Sequence, residues 1–482
     1  MRLLTCSNSA PRLTAEGGPL EHAPASPGGL VPILTALLEE AGGHWVFTAP
    51  SGAEHRSSHQ SPSTGKSYAL HALPIAERLM EQQREAISIR TLLWLFHYLH
   101  DTSTAPTFDR GTSLAWQAYC EVNRQFAHAL AQAHENAADE VVLVNDFHLL
   151  LVPALFSAEV PERASRLAYF HHVPWCEPDY FGILPESMRA QILESLLSCD
   201  IAGFHSERWG DAFLACCDRF LPDARVANRT VTYLGHETVV TTAPGPIDAK
   251  VLEELRGQPR TEQWRETLTR RAGGRRIITR VDRLDLWKNL ARGFSAYEVV
   301  LERTPRFATD LWFCAIVTPP RLQTDRHKRY QAMCEDAAQR INDRFPAARE
   351  AVSLIYPDDA GSQRNRAVAA LTLGSATLVN PTYDGLNMVA KEAVVLNPRA
   401  PLLLSTNAGA FPQLAPLALP IQPFDVASTA EALERAIGDP DGRAANEIDA
   451  CVASVREESA TAWLQALLGT PEHRGTDDVR AG

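Results

Sequence analysis

The chain has 482 residues, yet no uninterrupted apolar run approaches the roughly 18 residues that a membrane-spanning helix needs. Its first residues also lack the apolar stretch of a secretory signal peptide, so we expect a cytoplasmic protein with no membrane partner. Basic runs are missing as well. The formal net charge of −12 therefore argues against a nucleic-acid partner.

Metal-like and disulfide-like cysteine patterns are absent. None of the nine cysteines forms a C-x-x-C pair, so the sequence indicates neither a zinc site nor a disulfide framework, and we expect reduced, mostly buried thiols. The segment Asp439, Pro440, Asp441 only superficially resembles a metal-binding D-x-D sequence, because its glycine-flanked setting is typical of a turn. We predict no metal and no cofactor.

What the sequence does contain is an alternation of short apolar runs and helical patterns. Composition is ordinary for a globular protein, with 45% hydrophobic and 22% charged residues. Two consecutive series predict an α/β fold with two doubly wound parallel sheets. The predicted strands are 141–144, 167–171 and 201–204, a hairpin of 231–236 with 238–242, and then 277–281, 311–317, 353–356, 376–379 and 402–405. Residues 49–67 are predicted to form an exposed loop.

The most informative segment is 380–392, which follows a predicted strand and opens a predicted helix that ends near Leu396. Asp384, Gly385 and Asn387 at such a turn let backbone N–H groups converge on phosphate or sugar oxygens. Glu392 falls on the apolar face of that helix, where a carboxylate needs a partner. An ordinary Asp-Gly turn that caps a helix is an equally good explanation of the turn alone.

A second cluster, Arg283 and Lys288, follows the predicted strand 277–281. Arginine can bind phosphate oxygens through two parallel hydrogen bonds, and lysine adds a point charge. Fixed cations there would stabilise the charge that develops on a leaving diphosphate. Taken alone, Arg283 is better explained by a structural ion pair with Asp282 or Asp285.

Together these segments resemble the trehalose-6-phosphate synthase family of retaining glycosyltransferases. The resemblance covers roughly residues 28–467 and is carried by 281–288 and 384–392, with 145–149, 170–175, 183–185 and 202–205. It implies two facing Rossmann-like domains of the GT-B type around a deep cleft. The expected limits are 1–247 for the acceptor-side domain, 248–455 for the nucleotide-sugar domain, 456–470 for a helix that packs back, and 471–482 for a disordered tail.

The resemblance also implies the role of each matching residue. Arg283 and Lys288 would hold the donor diphosphate, His172 would lie beside the transferred sugar, and Asp146 would orient the acceptor; these four form the predicted catalytic set. The other expected donor-binding residues are Gly28, Gly29, Asp384, Gly385, Leu386, Asn387, Met388, Val389 and Glu392. Without the family context, His172 is more simply a hydrogen-bonded histidine and Asp146 a helix cap.

The acceptor side departs from the family. Ser9 stands where the family has a phosphate-binding arginine, with Arg12 three residues later, and Arg84 stands where it has a tyrosine. Asn145 replaces a histidine, and the family's Trp-Pro falls on Leu93 and Trp94. Arg321 matches a phosphate-binding arginine, so Arg84, Asp146 and Arg321 form the predicted acceptor set. The altered acceptor positions beside an intact donor side favour an acceptor other than glucose 6-phosphate.

Three hypotheses follow. The first is a retaining transfer of a hexose from a UDP-, GDP- or dTDP-linked donor to a sugar or sugar phosphate. The second is a transferase that couples a cyclitol to an aminocyclitol or amino sugar in natural-product biosynthesis, with which Asn289 in place of a common glycine is compatible. The third is a binding protein without turnover, which the presence of Arg283, Lys288 and Glu392 disfavours. A homo-oligomer is left open.

Overall fold

The computed structural model describes residues 1–11, 29–49, 55–61, 63–320, 324–347, 349–356, 363–438 and 445–469. The chain forms two compact units. Unit 1 is Met1–Gly245 together with the segment that starts at Ala460, and unit 2 is Pro246–Ser459.

Unit 1 is built on a ten-stranded sheet with the order β3-β4-β2-β1-β5-β6-β7-β10-β9-β8. Its central strands are parallel, while β3, β9 and β8 run antiparallel to their neighbours. The central strand β5 is buried along its whole length, as expected for a parallel strand covered on both faces. The strands are β1 (Arg2–Ser7), β2 (Gly43–Thr48), β3 (His55–Gln60), β4 (Ser67–Leu73), β5 (Glu140–Asn145), β6 (Arg166–His171), β7 (Ile201–Phe204), β8 (Arg225–Ala227), β9 (Thr230–Tyr233) and β10 (His236–Thr242).

Helices cover this sheet. They are α1 (Leu30–Ala41), α2 (Glu77–Glu81), α3 (Trp94–Phe96), α4 (Arg110–Ala133), α5 (Val152–Glu159), α6 (Pro178–Phe181), α7 (Glu186–Leu196) and α8 (Glu207–Phe220), with a π-helix at Gln82–Leu93 and a 3₁₀ turn at Phe147–Leu149. The C-terminal helix Ala460–Leu468 also packs on unit 1 through Trp463 and Leu467. Gly203 in β7 allows this approach, because a Cβ there would lie 2.3 Å from Leu467 Cδ1.

Unit 2 has a six-stranded sheet with the order β13-β12-β11-β14-β15-β16, and every pair is parallel. Its strands are β11 (Arg276–Arg283), β12 (Leu311–Thr318), β13 (Val352–Ile355), β14 (Ala376–Val379), β15 (Leu402–Ser405) and β16 (Ala418–Ile421). Its helices are α9 (Ala249–Arg256), α10 (Pro259–Ala272), α11 (Leu290–Arg303), α12 (Phe307–Asp310), α13 (Asp325–Arg344), α14 (Gln363–Leu373), α15 (Met388–Leu396), α16 (Phe411–Leu414), α17 (Val426–Gly438) and α18 (Ala445–Arg456), with a 3₁₀ turn at Leu286–Lys288.

The structure corrects two sequence predictions. Residues 49–67 are not a single exposed loop, because β3 pairs antiparallel with β4 at the sheet edge. The hairpin turns earlier than predicted: Leu234 and Gly235 have positive φ values of 48° and 84°, and His236 therefore opens β10. In the described part of the chain, no helix is both long enough and apolar enough to cross a membrane. The cytoplasmic location stays a prediction.

Candidate active site

The ends of three neighbouring strands of unit 2 form the candidate donor site. β11, β14 and β15 are adjacent and parallel, so the segments that follow them emerge at the same edge of the sheet. These segments carry Arg283 and Lys288, the Asp384 motif, and residues 406–410. The carboxyl edge of a doubly wound sheet is where such folds bind their ligands.

Lys288 and Asp384 form an ion pair at this edge. Lys288 Nζ lies 2.6 Å from Asp384 Oδ2 and 3.8 Å from Asp282 Oδ1. Burial opposes the charge on Lys288, but the two carboxylates outweigh burial and raise the pKa of its ammonium group. Lys288 therefore stays charged at neutral pH and is held in place from across the sheet edge.

Arg283 forms an ion pair with Asp285, one of the two structural partners that the sequence suggested. Its Nε donates to Asp285 Oδ2 at 2.7 Å, and this carboxylate raises the pKa of the guanidinium despite burial. The pairing uses the Nε side of the guanidinium and fixes its plane. It does not exclude a ligand role, because an arginine has five N–H donors.

The motif after β14 presents backbone donors. Asp384 N–H donates to Asn407 O at 3.1 Å, and Asn387 caps α15 by accepting Ala390 N–H at 3.2 Å. Asn387 Nδ2 also donates to Asp384 Oδ2 at 3.0 Å, and the residue has a positive φ of 74°. No hydrogen bond within the described chain uses the N–H groups of Leu386, Asn387, Met388 or Val389, and N–H groups of this kind at the start of a helix carry a positive potential that suits an anion.

Glu392 forms an ion pair with Arg364, as expected for a carboxylate on the apolar face of a helix. It is buried on α15, and its Oε1 accepts a 2.6 Å hydrogen bond from Arg364 Nη1 on α14. The sequence prediction did not find Arg364. The only signal for it was the expectation that a carboxylate on an apolar helix face needs a cation.

Asn289 has a structural role rather than a specificity role. Its φ of 64° lies in the left-handed region, which glycine and asparagine tolerate best. Its Nδ2 donates to Asn380 O at 2.9 Å and to Pro423 O at 2.8 Å. These bonds join the segment after β11 to the segments after β14 and β16, so the replacement of glycine carries no evidence for a different acceptor.

Arg280, which the sequence prediction missed, supports the site from inside β11. Its side chain is fully buried and forms an ion pair with Asp282 at 2.9 Å. It also donates to Asn380 Oδ1 and to the carbonyl oxygen of Lys288. Arg280 thus neutralises the Asp282 carboxylate and anchors the backbone of the residue that carries the site's ammonium group.

Gly409 lies against the motif from the segment after β15. Its N–H donates to Asp384 O at 3.0 Å, and Ala410 N–H donates to Leu386 O at 2.8 Å. A Cβ on Gly409 would lie 1.8 Å from the carbonyl oxygen of Gly385. No side chain fits there unless the backbone of the motif moves.

If the motif binds a nucleotide-sugar donor, as the resemblance implies, Gly409→Ala should weaken that binding about tenfold or more, because such overpacking costs about 1–3 kcal/mol and displaces the N–H groups of the motif. Isothermal titration with UDP-glucose measures this change. Gly438→Ala is the matched control, since a Cβ there meets nothing within 4 Å. Equal donor affinity in the two variants would contradict the assigned role.

In unit 1, His172 and Asn145 meet at the ends of neighbouring strands. Asn145 ends β5, and His172 follows β6; His172 Nε2 lies 3.1 Å from Asn145 Oδ1. Burial lowers the pKa of His172 to about 3, so its ring is neutral. Phe170 and Trp463 pack against the ring with centroid distances of 4.7 Å and 6.4 Å.

Asp146, which follows Asn145, has a backbone conformation that residues other than glycine rarely adopt. Its φ and ψ are 74° and 164°, and its N–H donates to Phe170 O at 2.9 Å. The residue precedes a 3₁₀ turn, but its side chain makes no capping hydrogen bond, so the helix-cap explanation does not hold. Strained backbone of this kind occurs preferentially at functional sites.

The predicted acceptor residues are only partly placed. Arg84 is exposed on the π-helix, where the neighbouring Gln83 is buried and donates to Ser88 Oγ at 3.0 Å. A π-helix has more residues per turn than an α-helix, so counting residues from Phe96 does not by itself establish which side chain faces a ligand. Outside the described residues lie Arg12, Gly28, Arg321 and residues 439–441, for which the sequence predicted a turn.

Gly29 does precede α1, as predicted, but with a φ of −69° that any residue can adopt. Its carbonyl accepts Ile33 N–H at 3.4 Å. The position therefore does not require glycine for its backbone conformation. Among the described residues, no group of three or more His, Cys, Asp and Glu side chains is placed to hold a metal ion.

Comparison with known proteins identifies the family. The sequence profile of glycosyltransferase family 20 matches residues 5–471. The chain belongs to glycosyltransferase family 20. It is accordingly a nucleotide-sugar-dependent glycosyltransferase with the GT-B fold, and the predicted fold and enzyme class are confirmed.

Individual relatives divide between two activities. A validamine 7-phosphate valienyltransferase of Streptomyces hygroscopicus subsp. jinggangensis is 28% identical over 92% of this chain and 88% of that protein. A UDP-forming α,α-trehalose-phosphate synthase of Botryotinia fuckeliana is also 28% identical, over 90% and 82%. The crystal structure of a UDP-forming α,α-trehalose-phosphate synthase from Burkholderia xenovorans, in complex with glucose-6-phosphate, has a TM-score of 0.81 at 26% identity and covers 97% of this chain and 100% of that one.

Proposed function

We propose that this family 20 member transfers a hexose from a UDP-linked donor to a phosphorylated sugar-like acceptor, with retention of anomeric configuration. The observation that supports the proposal is that Lys288, Arg283 and the N–H groups of residues 386–389, which make no hydrogen bond within the described chain, lie on segments that emerge at one sheet edge of unit 2. A diphosphate is the part of the donor that such a set of fixed positive groups binds best. UDP is proposed because trehalose-phosphate relatives are UDP-forming.

Lys288 and Arg283 would act on the bond that breaks. As the bond between the sugar carbon and the diphosphate oxygen opens, negative charge grows on that oxygen, and a preorganised ammonium group stabilises it more in the transition state than in the ground state. The acceptor oxygen would attack from the face that the diphosphate leaves. Its proton would pass to the departing phosphate oxygen, so no separate protein base is required.

A phosphorylated acceptor fits the relatives on both sides. One of them is named for validamine 7-phosphate and the others for trehalose phosphate, so both names contain a phosphate. We therefore favour an acceptor that carries a phosphate group over one that does not. The sequence departures at Ser9 and Arg84 had favoured an acceptor other than glucose 6-phosphate. We propose that Arg84, which is exposed on the π-helix, contacts the phosphate group of the acceptor.

Transfer of a cyclitol unit is the second candidate. The observation that favours it is the equal identity, 28%, to the valienyltransferase and to a trehalose-phosphate synthase. The donor edge of unit 2 does not discriminate between the two, because it addresses the diphosphate rather than the ring that is transferred. The two candidates differ in the acceptor and in the transferred ring, which contains an oxygen atom in a hexose and none in a cyclitol.

A donor-by-acceptor turnover matrix tests both candidates. UDP-, GDP-, ADP- and dTDP-glucose, with nucleoside-diphosphate-linked valienyl cyclitols as the second class of donor, are crossed with glucose 6-phosphate, glucose and validamine 7-phosphate, and products are measured by mass spectrometry. We expect UDP-glucose with glucose 6-phosphate to give product at least about tenfold faster than with glucose, because a lost charged contact to phosphate costs about 1.5–3 kcal/mol.

Lys288→Ala is the blank for this matrix, and NMR of the anomeric centre in the product checks retention. Product from the cyclitol donor and validamine 7-phosphate alone would establish the second candidate instead. Equal rates with glucose and glucose 6-phosphate would contradict a phosphate site, and no turnover with any pair, despite tight donor binding, would contradict an enzymatic role.

A further inference from the structure

The amide of Asn145 can take only one orientation. The residue is fully buried at the end of β5, and its Nδ2 donates to the carbonyl oxygen of Cys6 at 3.1 Å and to Thr5 Oγ1 at 3.0 Å. A backbone carbonyl oxygen can only accept a hydrogen bond, so the amide nitrogen must face Cys6. The amide oxygen of Asn145 then faces the opposite direction, toward His172.

This orientation determines which nitrogen of His172 carries the proton. Asn145 Oδ1 is an acceptor only, and it lies 3.1 Å from His172 Nε2. Nε2 must therefore be protonated and donate to it. Because the ring is neutral, Nδ1 carries a lone pair and can only accept. Within the described residues, Nδ1 makes no hydrogen bond.

We propose that Asn145 is a positioning residue that fixes His172 as the Nε2–H tautomer, so that His172 Nδ1 accepts a hydrogen bond from a hydroxyl group of the transferred sugar. The location of His172 beside that sugar rests on the proposed function; the tautomer itself does not. The half-buried ring packs against Phe170 and Trp463, and rotating it about its Cβ–Cγ bond would replace Nε2 by a carbon opposite Asn145 Oδ1 and lose the hydrogen bond.

The tautomer has a consequence for substrate choice. An acceptor-only nitrogen binds a group that donates, such as a hydroxyl or an ammonium, and repels an oxygen that has no hydrogen. A site built to bind a hydroxyl loses much of its affinity for an analogue that lacks it, because the buried nitrogen is left without a partner. Asn145 would thus set a requirement for one sugar hydroxyl through His172, without contacting the sugar.

The first test measures the tautomer in the full-length chain. Long-range ¹H–¹⁵N correlation spectra of histidine-labelled protein distinguish Nε2–H from Nδ1–H rings, and His172→Gln assigns the signal. We expect a single Nε2–H form in the wild type and in Thr5→Val, which keeps the Cys6 contact. In Asn145→Leu we expect a shift toward the Nδ1–H form or an exchange-broadened mixture. A wild-type Nδ1–H ring would overturn the proposal.

The second test measures the hydroxyl requirement. Binding of deoxyfluoro UDP-sugars, each with one hydroxyl replaced by fluorine, is compared between the wild type and Asn145→Leu. One position should cost the wild type about tenfold or more, a loss typical of one hydrogen bond to a buried group, and should cost the variant less than threefold. Equal losses in both proteins at every position would overturn the role of Asn145.

Two further controls keep the outcomes separable. If Asn145→Leu does not fold, Asn145→Ser serves, because a smaller side chain with room for water leaves either nitrogen of His172 free to donate. If the turnover matrix shows no transfer while the Nε2–H tautomer is found, the proposed function fails and the tautomer stands. If transfer is found but the ring of His172 is in the Nδ1–H form, the proposed function stands and the proposed role of Asn145 fails.

Discussion

Replacing Lys288 with alanine is expected to lower kcat about a hundred- to a thousandfold, the range seen when one preorganised donor to a developing oxyanion is removed. Affinity for the UDP-linked donor should fall less than about tenfold, because Arg283 and the backbone N–H groups of the Asp384 motif remain. The comparison is made by steady-state kinetics and by isothermal titration of the donor.

The reason for this asymmetry is the state of Lys288 before the reaction. Its ammonium group is fixed by the 2.6 Å contact with Asp384, and the neighbouring carboxylates raise its pKa, so it needs neither reorientation nor protonation as the bond breaks. A preorganised charge is effective where charge develops and adds less to binding of a diphosphate that is already charged.

Two variants make this test selective. Lys250→Ala removes an exposed lysine of the same unit and should leave kcat unchanged. Lys288→Arg keeps the charge and should recover part of the lost turnover, although its planar group cannot reproduce the geometry of the ammonium. Losses in kcat and in donor affinity of the same size for Lys288→Ala would mean that Lys288 binds substrate and transition state equally.

The sequence was sufficient to predict the central strands because their physics is local. Parallel strands buried on both faces are near-continuously apolar, and β5, β6, β7, β12, β14 and β15 follow that pattern. β11 follows it only in part, because Thr279 and Arg280 interrupt its apolar residues. The edge strand β3 could not be found in this way. Its sequence, His-Arg-Ser-Ser-His-Gln, has no apolar pattern, and it is held by backbone pairing with β4.

The donor side of the site was predictable for a related reason. Arg283, Lys288 and Asp384 each follow a strand, and parallel strands that are neighbours bring their carboxyl ends together. The contact between Lys288 and Asp384 spans 96 positions in sequence, but it requires only the strand order. The roles in catalysis and binding given to these residues stay predictions until variants are measured.

The residues that support the site were not predictable from local patterns. Arg280 lies within a buried strand, where a sequence pattern predicts an apolar side chain, and its partner Asn380 is 100 residues away. Gly409 matters through a clash with Gly385 that only the folded backbone reveals. The π-helix that carries Arg84 is equally invisible, because its extra residue per turn reflects tertiary packing rather than propensity.

Replacing Arg280 with methionine is expected to destabilise unit 2 by about 3–5 kcal/mol, the usual cost of leaving one partner of a buried ion pair alone. Asp282 would keep only the 3.8 Å contact with Lys288. Hydrogen-exchange mass spectrometry of β11 and β14 measures this loss within unit 2, so two-state unfolding of the whole chain need not be assumed.

The double variant Arg280→Met/Asp282→Asn is the matched control. The pH dependence of the destabilisation tests whether the charge of Asp282 is its cause. Burial raises the pKa of Asp282, while Arg280 and Lys288 lower it. Loss of Arg280 raises that pKa further, so Arg280→Met should be least destabilising at low pH, where Asp282 is protonated, and most destabilising as the pH rises through the folded-state pKa. The double variant should recover part of the stability and lose this pH dependence. A pH-independent loss that is equal in both variants would show that Arg280 acts by packing, and that Asp282 does not need its charge.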